Sequence, residues 1–320
     1  MNVPRTISLA TAVFLLGIGL AASQTRAQNR STVEDTSRAA GPIIDVHLHA
    51  LPLSSFPEEA DKAIGYERPE STEAVMRQTV EQLKRYGVET AITSGPPGLL
   101  KKYKEAAPDR IVRSQWIPIG MTGDSLRAYL DSLSVWHDQG RFQVLGEVLT
   151  QYSGLAPGDP ILDPLWSFAE EEGIPVGIHM GPGGPLTTTY RARHGNPLAI
   201  EGVLAEYPDL KVYIMHAGYP MLDEMIALLA NYPRVRVGIG ALPFLIPRAE
   251  FHRYLKGLVR AGHADRILFG SDQQIWPQSY EASVEAVENA DYLSEEQKRA
   301  IFYENAARFF GLDPESADGS

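Results

Sequence analysis

The chain has 320 residues, 44% hydrophobic and 22% charged, and a formal net charge of −11. That is the composition of an ordinary globular protein and excludes a collagenous, mostly disordered or polytopic membrane chain. The negative charge, with no Lys/Arg stripe to reverse it locally, argues against a nucleic-acid partner. With no cysteine, disulfides, thiolate nucleophiles and Cys-built zinc sites are excluded, so any metal must be held by His, Asp or Glu.

Arg5 precedes an apolar run from Ile7 to Ala22, followed by polar and small residues. Residues 1–27 read as a secretory signal peptide, too short and interrupted for a comfortable span of about 20 apolar residues. Without a cysteine for lipidation, a soluble periplasmic or secreted protein with no stable membrane association is expected. Residues 28–41 read as a flexible lead-in, and residues 313–320 as a tail.

From residue 42 to residue 312, short β-rich runs alternate with amphipathic segments, which predicts strand-helix units around a parallel sheet. Eight strands are expected: Ile43 to His49, Glu89 to Ser94, Ile111 to Ile119, Phe142 to Leu149, Pro175 to Met180, Lys211 to Ala217, Val235 to Gly240 and Arg266 to Ser271. Helical patterns fall at Thr72 to Tyr86, Ser125 to His137, Pro164 to Glu172, Pro197 to Tyr207, Leu222 to Asn231, Arg248 to Ala261 and Ser279 to Asn289. Gly87 and Gly173 act as helix stops, and Asp163-Pro164 as a helix start. Eight strands in this length predict a single α/β domain, a (β/α)₈ TIM barrel.

Four of the eight histidines fall at the ends of these strands. In Asp45-Val46-His47-Leu48-His49 the two imidazoles are two residues apart, so a strand projects both from one face. His179 ends the fifth strand and His216 the sixth; Asp272 follows the eighth, and Glu147 lies on the fourth. Barrel active sites form at this C-terminal face, with ligands drawn from several strands. A lone His on a strand is usually a core or surface residue, Asp272 alone reads as a helix cap, and Glu147 alone as a partner for an arginine. Together they predict a divalent-metal site. His137, His252 and His263 sit on helical patterns and read as surface residues; His194 lies in a loop.

These motifs, with Leu268-Phe269-Gly270-Ser271-Asp272 and the terminal Glu304-Asn305-Ala306-Ala307-Arg308-Phe309-Phe310-Gly311, resemble the amidohydrolase superfamily, in particular its amidohydrolase-2 or amidohydrolase-related branch. The resemblance implies a divalent metal, most often zinc, and a small-molecule substrate; a homodimer is compatible with it. It allows hydrolases of lactones, amides and esters as well as metal-dependent, non-oxidative decarboxylases of aromatic or unsaturated acids. A non-catalytic, exported binding protein on the same barrel is a third reading.

Two metal arrangements fit the resemblance. In one, His47, His49, His179 and Asp272 hold a single ion, and His216 bonds water or substrate. In the other, Glu147 stands where related enzymes carry a bridging carboxylate, His47, His49 and Asp272 hold one ion, and His179 and His216 hold a second. Glu147 favours the second arrangement, with a hydrogen bond to an imidazole as its competing role. Asp272 is, by resemblance, the residue that takes the proton from water toward the leaving group, with His216 as the other catalytic residue.

Three loops are expected to select the substrate. Leu51 to Glu70 reads as a lid or as a surface excursion. Gly181 to Asn196 places Arg191, Arg193 and His194 near the site, where an arginine would bind a substrate carboxylate bidentately or pair with Glu201 or Glu206. Trp116, Tyr152 and Trp276 lie at or near strand ends and are expected to wall an apolar pocket or to pack in the rim.

Overall fold

The computed structural model describes residues 41–118, 120–183 and 188–312. The signal-peptide segment, most of the lead-in and the tail lie outside the described residues. Eight strands pair in chain order, all parallel: β1 (Ile43–His49), β2 (Val88–Ser94), β3 (Ile111–Gln115), β4 (Val144–Val148), β5 (Val176–His179), β6 (Val212–Met215), β7 (Arg236–Gly238) and β8 (Ile267–Leu268). The ring is closed by backbone bonds from Val46 N to Phe269 O, His49 N to Gln273 O and Asp272 N to His47 O, at 3.0, 3.1 and 2.6 Å. The architecture is the expected (β/α)₈ TIM barrel.

The helices are α1 (Glu59–Ile64), α2 (Thr72–Arg85), α3 (Pro97–Ala106), α4 (Gly123–Asp138), α5 (Thr150–Ser153), α6 (Asp163–Glu171), α7 (Glu201–Glu206), α8 (Leu222–Asn231), α9 (Leu242–Leu245), α10 (Arg248–Arg260), α11 (Gln278–Glu288), α12 (Glu295–Arg299) and α13 (Asn305–Phe310). Their ends follow local chemistry. The Ser71 hydroxyl accepts from Ala74 N to start α2, and Ser294 and Gln297 form a reciprocal capping box at α12. α3 lies outside the expected set of helices. It starts at Pro97, whose missing N–H costs nothing in a first helical turn.

Two buried layers follow from strand geometry. Outward strand residues such as Ile43, Leu145, Ile178 and Val237 pack against the apolar faces of the surrounding helices. Inward residues, among them Ile44, Val46, Ile92, Val144, Tyr213 and Leu268, fill the barrel, and Ala306, Ala307 and Phe309 of α13 close its floor. Each fully buried aliphatic side chain contributes about 1.5–3 kcal/mol. A separate apolar cluster, Phe56, Ala60, Val75, Ile275 and Trp276, fastens the loop after β1, so Leu51–Glu70 is an ordered cover carrying α1.

Six strands, β3 to β8, are shorter than the apolar runs predict. β3 ends at Gln115, because the Trp116 carbonyl accepts from the side chains of Gln115 and Tyr129 and Pro118 follows. β4 is trimmed to Val144–Val148. β8 keeps Ile267 and Leu268 in the ladder; the Phe269 N–H goes to Ile301 O, and Ser271 turns its N–H to a side chain of β1.

Candidate metal centre

The centre begins with an irregularity in β1. The pairing with β2 runs from Asp45 opposite Ala91 to Leu48 opposite Thr93, so three steps along β1 match two along β2. A bulge of this kind resets which face a side chain meets: Val46 belongs to the barrel interior, and His47, the next residue, joins the buried site with His49. The Asp45 carboxylate sits in the bulge. It accepts from His47 N at 2.9 Å, Ser271 N at 3.0 Å and Ser271 Oγ at 2.6 Å. Burial raises its pKa to about 6 against the opposing pull of the Ser271 and His47 hydrogen bonds.

Two further positions depend on unusual backbone. His216 and Asp272 have φ of 59° and 48°, the left-handed region that non-glycine residues rarely adopt and that concentrates at functional sites. The turn at His216 is backed by Gly181, where a Cβ would lie 2.5 Å from His216 Cβ. His216 Nδ1 is 3.0 Å from Gly240 O. A carbonyl only accepts, so Nδ1 carries a proton and Nε2 faces the centre.

At the strand ends six side chains meet, all buried. His47 Nε2 and His49 Nε2 are 3.0 Å apart, and Asp272 Oδ1 lies 3.3 and 3.0 Å from them. Glu147 Oε2 is 3.7 Å from both nitrogens. Its other oxygen, Oε1, is 2.5 Å from His179 Nδ1 and 3.0 Å from His216 Nε2, and those two nitrogens are 3.0 Å apart. One carboxylate therefore turns one oxygen to each pair of imidazoles. Ser94 Oγ, 2.9 Å from His49 Nδ1, holds the far side of that ring.

The charges fit a cation. Burial raises the pKa of Glu147, but His179 and the bonds from His179, His216 and His47 outweigh it and hold the carboxyl well below its usual range. Asp272 is also lowered, burial being overcome by His47, His49 and His216. Burial depresses His216, yet Glu147 and Asp272 raise it to about 9; His179 stays lowered by burial. Metal binding to such a set would displace protons from the imidazoles. Ligand atoms around one tetrahedral ion with bonds of about 2.0–2.1 Å lie about 3.3 Å apart, which His47, His49 and Asp272 match. His179 turns Nδ1 to the centre, and its other ring nitrogen, Nε2, is buried without a hydrogen-bond partner. The donor set of four imidazoles and two carboxylates fits a divalent metal.

A model of the amidohydrolase family matches residues 44–312. The chain belongs to the amidohydrolase family. Among solved structures, this amidohydrolase is similar to an uncharacterised TIM-barrel protein from Bordetella bronchiseptica, at 19% identity, TM-score 0.66, covering 84% of this chain and 98% of that one. A probable 2-pyrone-4,6-dicarboxylic acid hydrolase from Acinetobacter baumannii matches at 17% identity and TM-score 0.60, over 84% and 99% of the two chains. A 2,6-dihydroxybenzoate decarboxylase from Rhizobium matches at 17% and 0.57, over 85% and 98%. These identities carry the fold alone. A curated relative, protein fluG of Emericella nidulans, is 23% identical over 154 residues, 43% of this chain and 18% of that protein's length.

Of the expected substrate residues, three aromatics stand at this face of the amidohydrolase. Trp116 lies with its ring 6.1 Å from that of His49, and its indole nitrogen is buried without a partner. Tyr152 meets His179 edge-on at 5.1 Å. Trp276 lines a pocket with Asp272. The arginines differ from expectation. Arg191 and Arg193 are exposed, and the Arg191 guanidinium donates to the carbonyls of Thr188 and Tyr190. Neither pairs with Glu201 or Glu206 among the ion pairs found, and neither lines that pocket. His194 is half-buried, its pKa lowered by burial and by Arg193, and it is outside the pocket too. Three further residues lie outside the set expected from the sequence: Asp45 in the bulge, Ser94, and Gln274, which follows Asp272 by two residues and lines the pocket. The Asp272-Gln273-Gln274 run was the available signal.

Proposed function

We propose that this amidohydrolase is a metal-dependent hydrolase that adds water to the carbonyl of a small lactone, amide or ester. The observation that carries the reading is Glu147, whose Oε1 faces His179 and His216 while Oε2 faces His47 and His49. A carboxylate so turned would serve two cations, one on each oxygen. His47, His49 and Asp272 would hold one ion, and His179 and His216 the other; zinc suits imidazole and carboxylate donors. A divalent metal bound there lowers the pKa of water toward 7 and polarises a carbonyl.

The chain's own groups supply the remaining work. Asp272, kept ionised, stands against both β1 imidazoles and accepts the proton from the attacking water, then returns it to the leaving nitrogen or oxygen. The His216–Gly240 bond fixes the imidazole with Nε2 inward, and Ser94 steadies His49. Trp116 and Tyr152 put aromatic surface beside the reacting carbonyl. The signal-like N-terminus supports export as part of the same proposal.

The test is metal content per chain in the wild type and in Glu147→Gln. Two ions falling to one or fewer in the variant supports the reading. One ion in both overturns it and moves carbon dioxide release from aromatic or unsaturated acids to the front.

A further inference from the structure

Below the ligand layer, two neighbouring strands are shaped around a single hydroxyl. Tyr213 of β6 is fully buried and points into the barrel with Ile44, Val46 and Leu268. Phe309 and Phe310 meet its ring edge-on from the floor, at 6.0 and 5.8 Å, and its hydroxyl donates to Val46 O at 3.1 Å. Opposite Tyr213 in the β5–β6 ladder stands Gly177. A Cβ there would lie 2.5 Å from Tyr213 Cζ and 2.6 Å from its hydroxyl oxygen. The backbone of Gly177 is outside the left-handed region, so it is the space, and not the conformation, that calls for glycine.

Filling the barrel does not require this pair. Glycine inside a strand weakens it, and a buried tyrosine hydroxyl needs a partner; two aliphatic side chains would occupy the volume without either cost. What Tyr213 and Gly177 deliver is a donor at one carbonyl, in the bulge of β1 between Asp45 and His47. The Val46 carbonyl and the His47 N–H belong to the same peptide plane. Tyr213 holds its oxygen, and the Asp45 carboxylate takes its N–H at 2.9 Å. Burial, with Glu147 and Asp45 nearby, pushes the ionisation of the phenol upward, so the hydroxyl stays a donor.

We infer that Tyr213 is a positioning residue of the metal centre. With both ends of the Val46–His47 peptide held, the plane from which His47 departs is fixed, and His47 Nε2 stays at ligand spacing from His49 Nε2 and Asp272 Oδ1, 3.0 and 3.3 Å away. Metal–ligand distances hold to within about 0.2 Å, and removing a group that orients a ligand weakens metal affinity by about 10–100-fold. The inference rests on the metal-binding reading of the six side chains and is independent of the reaction they catalyse.

The experiment is zinc titration of the full chain stripped of metal, with urea unfolding in chelator alongside it. Tyr213→Phe keeps the ring and removes only the hydroxyl; zinc is expected to bind about tenfold more weakly at the ion that His47 holds. Cobalt loading gives a second readout, a change in the visible bands of the bound ion. Ile92→Val lies in the same interior layer on β2, which carries none of the six ligands. It is expected to lower the unfolding midpoint and to leave zinc affinity within about twofold. Gly177→Ala presses on the ring and hydroxyl from β5 and weakens zinc binding as well; combined with Tyr213→Phe the losses do not add, because both act through one bond. Zinc affinity of Tyr213→Phe within about twofold of the wild type overturns the inference. An equal loss in Ile92→Val also overturns it, by tracing the effect to barrel packing. If Tyr213→Phe does not fold, Gly177→Ala decides by the same criterion. A wild type that binds no zinc or cobalt ends the metal reading, and the inference with it.

Discussion

Asp45 and Ser271 lie 226 positions apart and meet through two hydrogen bonds: the serine gives both its N–H, at 3.0 Å, and its hydroxyl, at 2.6 Å, to one buried carboxylate. The same carboxylate takes the N–H of His47. The strand that carries two imidazoles and the loop that carries Asp272 are thereby held in fixed relation at the seam of the barrel. Replacing Asp45 by Ala leaves three buried donors short of their acceptor, and is expected to cost about 3 kcal/mol. Asp45→Asn, with one acceptor oxygen, should retain part of that. Urea unfolding with metal analysis checks both: the alanine variant loses bound metal together with stability. Full metal content in a stable Asp45→Ala would show that the clamp does not position the ligands.

Gly181 offers a narrower probe. Its missing Cβ is the space that His216 Cβ occupies, so Gly181→Ala must push the imidazole away from Glu147. A loss of about 1–3 kcal/mol is expected from overpacking, with a larger proportional effect on metal retention. Isothermal titration with zinc separates the two, and unchanged affinity would place His216 outside the ligand set.

Asp272→Asn retains the size and most of the fold but removes the proton acceptor. Turnover should fall by about 10³-fold or more, within the range that a positioned acid-base group supplies, while the melting temperature shifts little. A variant with substantial residual activity and full metal content would move proton transfer to another group.

Arg191 and Arg193, which the sequence sets beside a metal motif, are expected to matter little. With exposed guanidiniums and local carbonyl partners, alanine at either position should leave kcat/KM within about twofold, as surface changes of this kind do. Steady-state kinetics on any hydrolysed probe checks this, and a tenfold rise in KM would return the loop to the substrate site.

The sequence makes the ring of strands legible because inward and outward strand faces are both buried, so apolar runs stand out against the amphipathic helices. The strand ends then line up the candidate ligands without further information. What stays hidden is backbone: the bulge at Asp45 and the left-handed turns at His216 and Asp272 occur at non-glycine residues, where composition carries no signal. Strands β3 and β8 end before their apolar runs do, because such a run does not say where side chains begin to capture the ladder's donors and acceptors. Arg191 illustrates the same limit for the site, since closeness in sequence to His179 does not say which way a loop turns its cation.

Trp276 belongs to two structures at once. Its ring packs on Phe56 at 4.8 Å within the cover, its indole N–H reaches Asp61 of α1 at 2.8 Å, and its other surface forms part of the pocket wall. One side chain thus anchors the loop that carries α1 and shapes the wall next to Asp272. Trp276→Ala should therefore release that loop and disturb the surroundings of Asp272 by the same stroke.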